Sequence, residues 1–122
     1  MPGRKEPSRD KNIEHLWDPF GNAVKTLIAR MVGRHFDAVL FEGRRSHERQ
    51  DWLYGIGRTH NLKRKPVTWT LRGRHIVGKA ADIISKSRGW NWEEFYDALK
   101  QEAQRLNLQV LSDERCHVQW QG

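Results

Sequence analysis

The stretch RHIVGKAADII (residues 74–84) decides the fold, because it carries a histidine and an aspartate on either side of a turn that leads into a buried strand. His75 lies two residues after Gly73 and three before Gly78, and glycines let the backbone bend so that a loop residue can point inward. Asp82 follows within AADII, which is typical of a buried strand. The six intervening residues can form a loop and return along a strand, so His75 and Asp82 can meet at one ion.

A second pair of residues lies near the end of the chain, where ERCH (114–117) has the spacing E-x-x-H. Two imidazoles and one carboxylate are the ligand set of a catalytic zinc ion that keeps a position open for water. A further carboxylate beside the last ligand is what a metal hydrolase needs to handle the proton of that water. The pattern therefore predicts a split zinc site with ligands His75, Asp82 and His117, and with Glu114 beside it.

Each ligand, taken alone, has another interpretation. Asp82 could be a strand-end aspartate in an ion pair with one of the many arginines, and His75 could be an exposed loop histidine. In CHVQW (116–120), a strand places His117 and Gln119 on one face and Cys116 on the other. Cys116 is therefore predicted to be a small core residue rather than a ligand or nucleophile.

The identity of the catalytic base is a second open question. Glu114 lies three residues before His117 and would face away from it in a straight strand, so its role requires a turn or bulge at Arg115. Asp113 has the parity that faces the site in an unbroken strand, and it is the alternative base.

A third cluster is EGRRSHERQ (42–50), where two arginines follow a strand and a glycine. An arginine at this place could fix a substrate carboxylate through a bidentate pair. The alternative is a solvated basic surface, which we favour for Arg44.

The composition is that of a small, basic and polar domain. The length of 122 residues is enough for one domain with one modest core, and 37% of the residues are hydrophobic and 30% are charged.

No apolar run approaches the length of a membrane span, so we expect no stable membrane association. The net charge of +7 predicts a polyanionic partner, for which nucleic acid, an anionic membrane surface and a bacterial cell wall all qualify. Cys116 is the only cysteine, which excludes an intrachain disulfide.

The first dozen residues, MPGRKEPSRDKN (1–12), are polar and have no apolar stretch behind their charges. They therefore lack the pattern of a secretory signal, and we expect a disordered lead-in at 1–12 before a single domain at 13–122. Cytoplasmic synthesis is the expected localisation.

The order of the predicted elements indicates an α+β fold with a small, mostly antiparallel sheet and flanking helices. Helices are expected from Asp18-Pro19, with Asp18 as N-cap, from Ser46, and from Asn91 with Glu94 as its capping-box partner. The predicted strands are FDAVLFE (36–42), VTWT (67–70), AADII (80–84), LQVLS (108–112) and CHVQW (116–120).

Three segments taken together resemble a known family. EGRRSHERQDWLYGIGR (42–58), VTWTLRGRHIVGKAADI (67–83) and DERCHVQW (113–120) follow the order G-x-R-S-x-x-x-Q, S-x-H-x-x-G-x-A-x-D and D/E-x-x-H. This pattern resembles the D-alanyl-D-alanine carboxypeptidase and L-alanyl-D-glutamate endopeptidase family of zinc peptidases, which includes VanY-type enzymes and phage endolysins. Each piece is weak alone, but the combination is specific and extends from about residue 36 to residue 120.

The resemblance implies a hedgehog/DD-peptidase-like fold and a role for each matching residue. It implies Zn2+ bound by His75, Asp82 and His117, and Glu114 as the catalytic acid/base. Arg45 matches the family arginine that contacts the substrate or stabilises the transition state. Gln50 matches a glutamine in the following helix that supports the site, and we expect both residues to bind substrate.

Four departures from the family pattern bear on substrate choice rather than on zinc chemistry, and one of them is that LNLQVLS (106–112) stands where a glycine- and tryptophan-rich approach to the final motif is usual. Gly73 stands where serine is usual, Arg74 adds charge beside a ligand, and Val118-Gln119 replaces an aromatic–acid pair.

The resemblance also implies a partner, bacterial peptidoglycan, and a peptidase acting on its stem peptides. A compact chain of this kind suggests a phage or prophage endolysin, an L-alanyl-D-glutamate endopeptidase that is monomeric and reaches the wall after release from the cytoplasm. The alternatives are a D-alanyl-D-alanine carboxypeptidase and a non-catalytic zinc-containing wall-binding domain. A nucleic-acid-binding module is disfavoured because acids are interleaved with the basic residues and no recognised binding motif is present, so we expect no nucleic-acid partner.

Overall fold

A computed structural model describes residues 5–66, 73–111 and 114–121. A short 3-10 helix at Ile13–His15 precedes helix α1 (Asp18–Gly33), strand β1 (Ala38–Glu42), helix α2 (His47–Gly55), strand β2 (Ala80–Ser85), helix α3 (Glu93–Arg105), strand β3 (Leu108–Leu111) and strand β4 (Glu114–Trp120). The predicted strand at 67–70 and the alternative base Asp113 lie outside the described residues.

The helices begin close to the predicted residues, but only one predicted side-chain cap forms. The Ser46 hydroxyl accepts a hydrogen bond from the Arg49 backbone N–H at 3.0 Å and caps α2. Asp18 is the first residue of α1 rather than its cap, and α3 begins at Glu93 instead of Asn91. In both helices acidic side chains lie in the first turn, where their negative charge interacts favourably with the positive end of the helix dipole and stabilises the helix.

The described strands form one antiparallel sheet in the order β1-β2-β4-β3. The side chains on one face of it pack against α1 and α3, because apolar residues alternate along the strands and recur at helical spacing along the helices. The core members at or near zero exposure include Phe20, Leu27, Met31, Ile83, Phe95, Leu99 and Val118. This arrangement confirms the predicted α+β fold with its small antiparallel sheet.

The other face of the sheet carries a row of polar side chains. Glu42 on β1 pairs with Asp82 on β2, and Asp82 pairs with His117 on β4. Directly opposed residues of neighbouring strands project on the same side of a sheet. Three adjacent strands therefore present a glutamate, an aspartate and a histidine side by side.

Residues 5–12 have no regular secondary structure, and several of them contact the rest of the chain, while the disordered lead-in expected at 1–12 stays a prediction. The Pro7 carbonyl accepts a hydrogen bond from Arg49 at 2.7 Å, and the Asp10 carbonyl accepts one from the Gly43 N–H at 2.8 Å. These contacts form because the interior donors of Arg49 and Gly43 need acceptors. The boundary of the domain at residue 13 stays a prediction.

Candidate metal centre

His75, Asp82 and His117 converge at one point on the polar face of the sheet. One nitrogen of each histidine and one oxygen of the aspartate all lie within 4.8 Å of one another. His75 Nε2 is 3.5 Å from Asp82 Oδ2, and His117 Nδ1 is 3.4 Å from Asp82 Oδ1. The structure thus brings together the three ligands predicted from sequence.

A backbone carbonyl orients the His75 ring. His75 Nδ1 lies 2.7 Å from the Gly43 carbonyl oxygen, which can only accept, so Nδ1 carries a proton and Nε2 is the nitrogen that faces Asp82. The Arg45 N–H also donates to the His75 carbonyl at 2.8 Å, so the loop after β1 holds both the backbone and the ring.

The turn between His75 and Asp82 depends on Gly78. Its φ of +72° lies in the left-handed region, and a Cβ built there would be 2.9 Å from the Trp17 backbone nitrogen. The glycine therefore permits both the turn conformation and the close approach of the chain before α1.

A glutamine pair orients the His117 ring. His117 Nε2 lies 2.8 Å from Gln119 Oε1, while the amide nitrogen of Gln119 donates to Gln109 Oε1 at 2.9 Å. Since Gln119 presents its oxygen to the ring, Nε2 carries a proton, and Nδ1, which faces Asp82, is the nitrogen that a metal ion would occupy.

The donor chemistry of the three residues fits zinc. Two neutral imidazole nitrogens and one carboxylate oxygen are ligands that zinc accepts, and three protein ligands leave a fourth position for water or substrate. Each histidine also has a second hydrogen-bonded nitrogen, as metal-binding histidines almost always do.

The charge states of the group suit a cation. Burial by itself would raise the pKa of Asp82, but hydrogen bonds from His117 and His75 outweigh burial and hold the pKa well below its usual range. Burial would lower the pKa of His117, yet its hydrogen bond with Asp82 and the Asp82 charge raise the pKa above its ordinary value. Asp82 is therefore anionic, and without a cation it is compensated by the two imidazoles.

Glu114 reaches the same point through a bulge. Leu111 pairs with Glu114 while Val110 pairs with Val118, so β4 contains extra residues beside His117. Glu114 Oε2 lies 3.6 Å from His117 Nδ1, and its side chain is 48% exposed. The bulge that the sequence required is present, and it leaves this carboxylate both near the ligand group and open to solvent.

Arg45 and Gln50 also lie at the centre. Arg45 Nη1 donates to Gln50 Oε1 at 2.8 Å, and Nη2 lies 3.9 Å from Asp82 Oδ2. Gln50 is fully buried, whereas Arg44 is exposed, as the preference for a solvated Arg44 predicted.

Sequence reasoning missed three contributors to this centre. Glu42 accepts a hydrogen bond from Arg45, Gln119 orients His117, and the Gly43 carbonyl orients His75. The sequence carried a signal for two of them, because Glu42 is a charge at the end of an apolar strand and Gln119 shares the face of His117. A carbonyl contact leaves no trace in a side-chain pattern.

Cys116 contributes no ligand to the group. It packs against the core, and burial, followed by the negative charge of Asp82, raises its pKa to about 12. Its thiol therefore stays protonated at neutral pH, in keeping with the predicted core role.

Several solved structures share this fold, and some of them are named as peptidases. The L-Ala D-Glu endopeptidase ChiX of Serratia marcescens superposes with a TM-score of 0.62 at 19% identity, over 93% of this chain and 90% of its own. VanYB in complex with D-alanine-D-alanine gives 0.72 at 15% identity, over 100% and 81%. The D,D-pentapeptidase VanY of a VanB-type resistance cassette, in complex with Zn(II), gives 0.71 at 15% identity, over 94% and 78%.

No family model matches this chain, and no curated protein matches it by sequence. At these identities the similarity establishes the fold, which is that of the VanY-like zinc peptidases. The resemblance seen in the sequence is confirmed at this level.

Proposed function

We propose that the protein is a zinc-dependent peptidase that hydrolyses the stem peptides of bacterial peptidoglycan. One observation carries this proposal: ligand atoms of His75, Asp82 and His117 lie within 4.8 Å of one another, beside the half-exposed carboxylate of Glu114. The fold supports it, because it is shared with an endopeptidase, with a protein bound to D-alanine-D-alanine and with one bound to Zn(II).

In this function His75 Nε2, Asp82 and His117 Nδ1 hold the zinc ion. The bound ion supplies Lewis-acid polarisation of the scissile carbonyl and lowers the pKa of a water molecule to about 7. The hydrogen bonds from the rings to Gly43 and Gln119 keep both imidazoles in the tautomer that a cation requires.

Glu114 acts as the general acid and base. Its carboxylate takes a proton from the attacking water and passes it to the nitrogen of the leaving amine as the peptide bond breaks. Its half-exposed position lets water and substrate reach it, and its distance of 3.6 Å from His117 Nδ1 places it beside the ligands.

Arg45 stabilises the negative charge that develops on the substrate oxygen. Its side chain is 10% exposed, so its field acts where little water competes with it. Gln50 holds Nη1 and thereby fixes the plane of the guanidinium.

For the scissile bond we propose L-alanyl-D-glutamate. The support is ChiX, an L-Ala D-Glu endopeptidase whose length is 90% covered by this short chain. The alternative is D-alanyl-D-alanine carboxypeptidase activity, which is favoured by the higher TM-score of 0.72 to VanYB in complex with D-alanine-D-alanine.

For the biological role we propose a monomeric phage or prophage endolysin that is made in the cytoplasm and acts on the wall after release. The net charge of +7 supports attachment to an anionic wall. None of the helices among residues 5–66, 73–111 and 114–121 is both long and apolar enough to cross a membrane.

The test is digestion of purified peptidoglycan by the zinc-loaded protein, with the products identified by mass spectrometry. Release of free stem peptides establishes the endopeptidase, and loss of a terminal D-alanine alone establishes the carboxypeptidase. The metal-free protein and a His117→Ala variant serve as controls and should release neither. A protein that binds zinc and wall fragments but releases no new amines would be a non-catalytic domain, and the proposed activity would be wrong.

A further inference from the structure

Glu42 is a buried carboxylate at the edge of the candidate metal centre, and it takes no part in the proposed hydrolysis. It ends β1, where the register of the β1–β2 pairing shifts, and it lies opposite Asp82 with only 4% of its surface exposed. A buried carboxylate is unfavourable unless it is paired, and this one is paired twice. Its Oε1 accepts from Arg45 Nη2 at 2.9 Å, and its Oε2 accepts from Arg49 Nε.

The Arg45 guanidinium lies between two carboxylates. Nη2 is 2.9 Å from Glu42 Oε1 but 3.9 Å from Asp82 Oδ2, so the hydrogen bond is to Glu42 and not to the metal ligand. Gln50 holds the other terminal nitrogen at 2.8 Å. The position of Arg45 is thus set by partners that do not bind the metal.

Arg49 fixes the position of Glu42 in turn. Its side chain is almost fully buried, and besides Glu42 it donates to the Pro7 carbonyl at 2.7 Å. Glu42 therefore has one oxygen held by a fixed arginine and the other available for Arg45. It cannot turn away without leaving the buried Arg49 Nε without its acceptor, because the other carboxylate near Arg49, the half-exposed Glu6, lies 3.6 Å from Nη1.

We propose that Glu42 is a positioning residue that keeps Arg45 off Asp82 and thereby leaves the Asp82 carboxylate to the zinc ion. This inference rests on the proposed zinc-dependent function. Without the charge of Glu42, the nearest carboxylate for Arg45 is Asp82, and arginine binds carboxylates through two parallel hydrogen bonds. Such a pair engages the Asp82 oxygens that the metal requires.

The test is zinc affinity, measured by competition with a chromogenic chelator on the full chain. Glu42→Gln is expected to weaken zinc binding by about 10- to 100-fold, the range found when a residue supporting a metal ligand is lost. The double variant Glu42→Gln with Arg45→Met is expected to regain near-wild-type affinity, because the competing guanidinium is gone. The exposed Glu48 on α2 gives the matched control, since Glu48→Gln should bind zinc as the wild type does.

Two results would overturn the proposal. One is wild-type zinc affinity in a folded Glu42→Gln protein. The other is weakened binding that Arg45→Met does not restore, because general damage to the site would explain that loss. Should Glu42→Gln not fold, Glu42→Asp keeps the charge but shortens the side chain, so it should weaken zinc binding in the same direction, and wild-type affinity in it would refute the role of Glu42.

The wild type and His117→Ala are measured alongside. If the wild type binds no zinc, or binds it as tightly as His117→Ala does, the proposed function itself fails. If wild-type binding depends on His117 and Glu42→Gln leaves it unchanged, only the role of Glu42 fails.

Discussion

Asp82 and His117 lie directly opposite each other on strands β2 and β4, with Asp82 Oδ1 3.4 Å from His117 Nδ1. Two predicted ligands that are 35 residues apart in sequence are thus fixed by the hydrogen-bond register of one strand pair. A shift of that register by one residue would turn one of them to the core face, so the sheet itself assembles this half of the metal centre.

Replacement of Glu114 should separate metal binding from catalysis. Glu114→Gln removes the proton acceptor but no metal ligand, so we expect unchanged zinc content and a peptide hydrolysis rate lower by roughly 10²- to 10⁴-fold. Zinc is measured by metal analysis and hydrolysis by release of new amines. Normal hydrolysis by the zinc-loaded variant would remove Glu114 from its role, and Asp113→Asn would be tested next.

Replacement of Gln119 should weaken the metal site without unfolding the domain. Gln119→Leu deprives His117 Nε2 of its acceptor at 2.8 Å, so we expect zinc affinity to fall by about 10- to 100-fold. Gln109→Leu is the matched control, because the side-chain hydrogen bond of Gln109 is to the amide nitrogen of Gln119 and not to the His117 ring. Equal zinc affinities in both variants and the wild type would show that Gln119 does not support the ligand.

The buried carboxylate of Glu102 should stabilise the contact between α1 and α3. It is 2% exposed and accepts hydrogen bonds from Arg34 at 2.8 Å and Arg105 at 3.0 Å. Because the guanidinium groups are partly exposed and screened, we expect Glu102→Gln to lower the free energy of unfolding at pH 7 by about 1–2 kcal/mol. Glu93→Gln, in an exposed ion pair with Arg115, should change it by less than about 0.5 kcal/mol.

The Glu102 effect should depend on pH in a defined direction. Burial raises its pKa, but the hydrogen bond from Arg34 and the charges of Arg105, Arg34 and Arg30 outweigh burial, so the folded-state pKa is below 4.5. A lowered pKa contributes stability that is present above about 4.5 and is lost as the pH falls through the folded value. Urea unfolding at pH 7 and below pH 4 should show the difference between wild type and Glu102→Gln shrinking in acid, and a constant difference would contradict this assignment.

The thiol of Cys116 should be unreactive in the folded protein. Burial raises its pKa to about 12, so very little thiolate exists at pH 8. We expect alkylation by iodoacetamide to be at least about 100-fold slower than in the urea-unfolded chain. Mass spectrometry of timed samples measures the alkylation rates of the folded and the unfolded protein. Comparable rates would show that the thiol is accessible in the folded protein and that its pKa is not raised.

Activity on intact walls should fall as salt rises. A chain with a net charge of +7 is held near an anionic wall by forces that added ions screen within about 8 Å at physiological ionic strength. Hydrolysis of a soluble stem peptide is the control, because it needs no wall attachment and should be much less sensitive to salt. Wall digestion that is indifferent to salt would rule out the electrostatic attachment.

The sequence was sufficient to predict that His75, Asp82 and His117 lie together, because each of them lies in a local pattern that its neighbours define. Gly73 and Gly78 bracket His75, and Asp82 lies among the apolar residues of a strand. Less could be predicted about the caps of α1 and α3, where Trp17 and Trp92 occupy the cap positions without a side-chain hydrogen bond and pack against Trp120 and Phe36.

The sequence by itself determined the α+β class, the three candidate ligands and the need for a bulge before His117, since alternation, glycine spacing and residue chemistry are properties of short segments. Only the tertiary structure decided that Glu42 faces Asp82, that Arg45 bonds to Glu42 instead of Asp82, and that Gln119 and the Gly43 carbonyl orient the two rings. These contacts join segments that are distant in sequence, and they depend on strand register. The choice of Arg45 between Glu42 and Asp82 depends on a difference of about one ångström between two distances. Such distances arise from the packing of the whole sheet, and no local pattern encodes them.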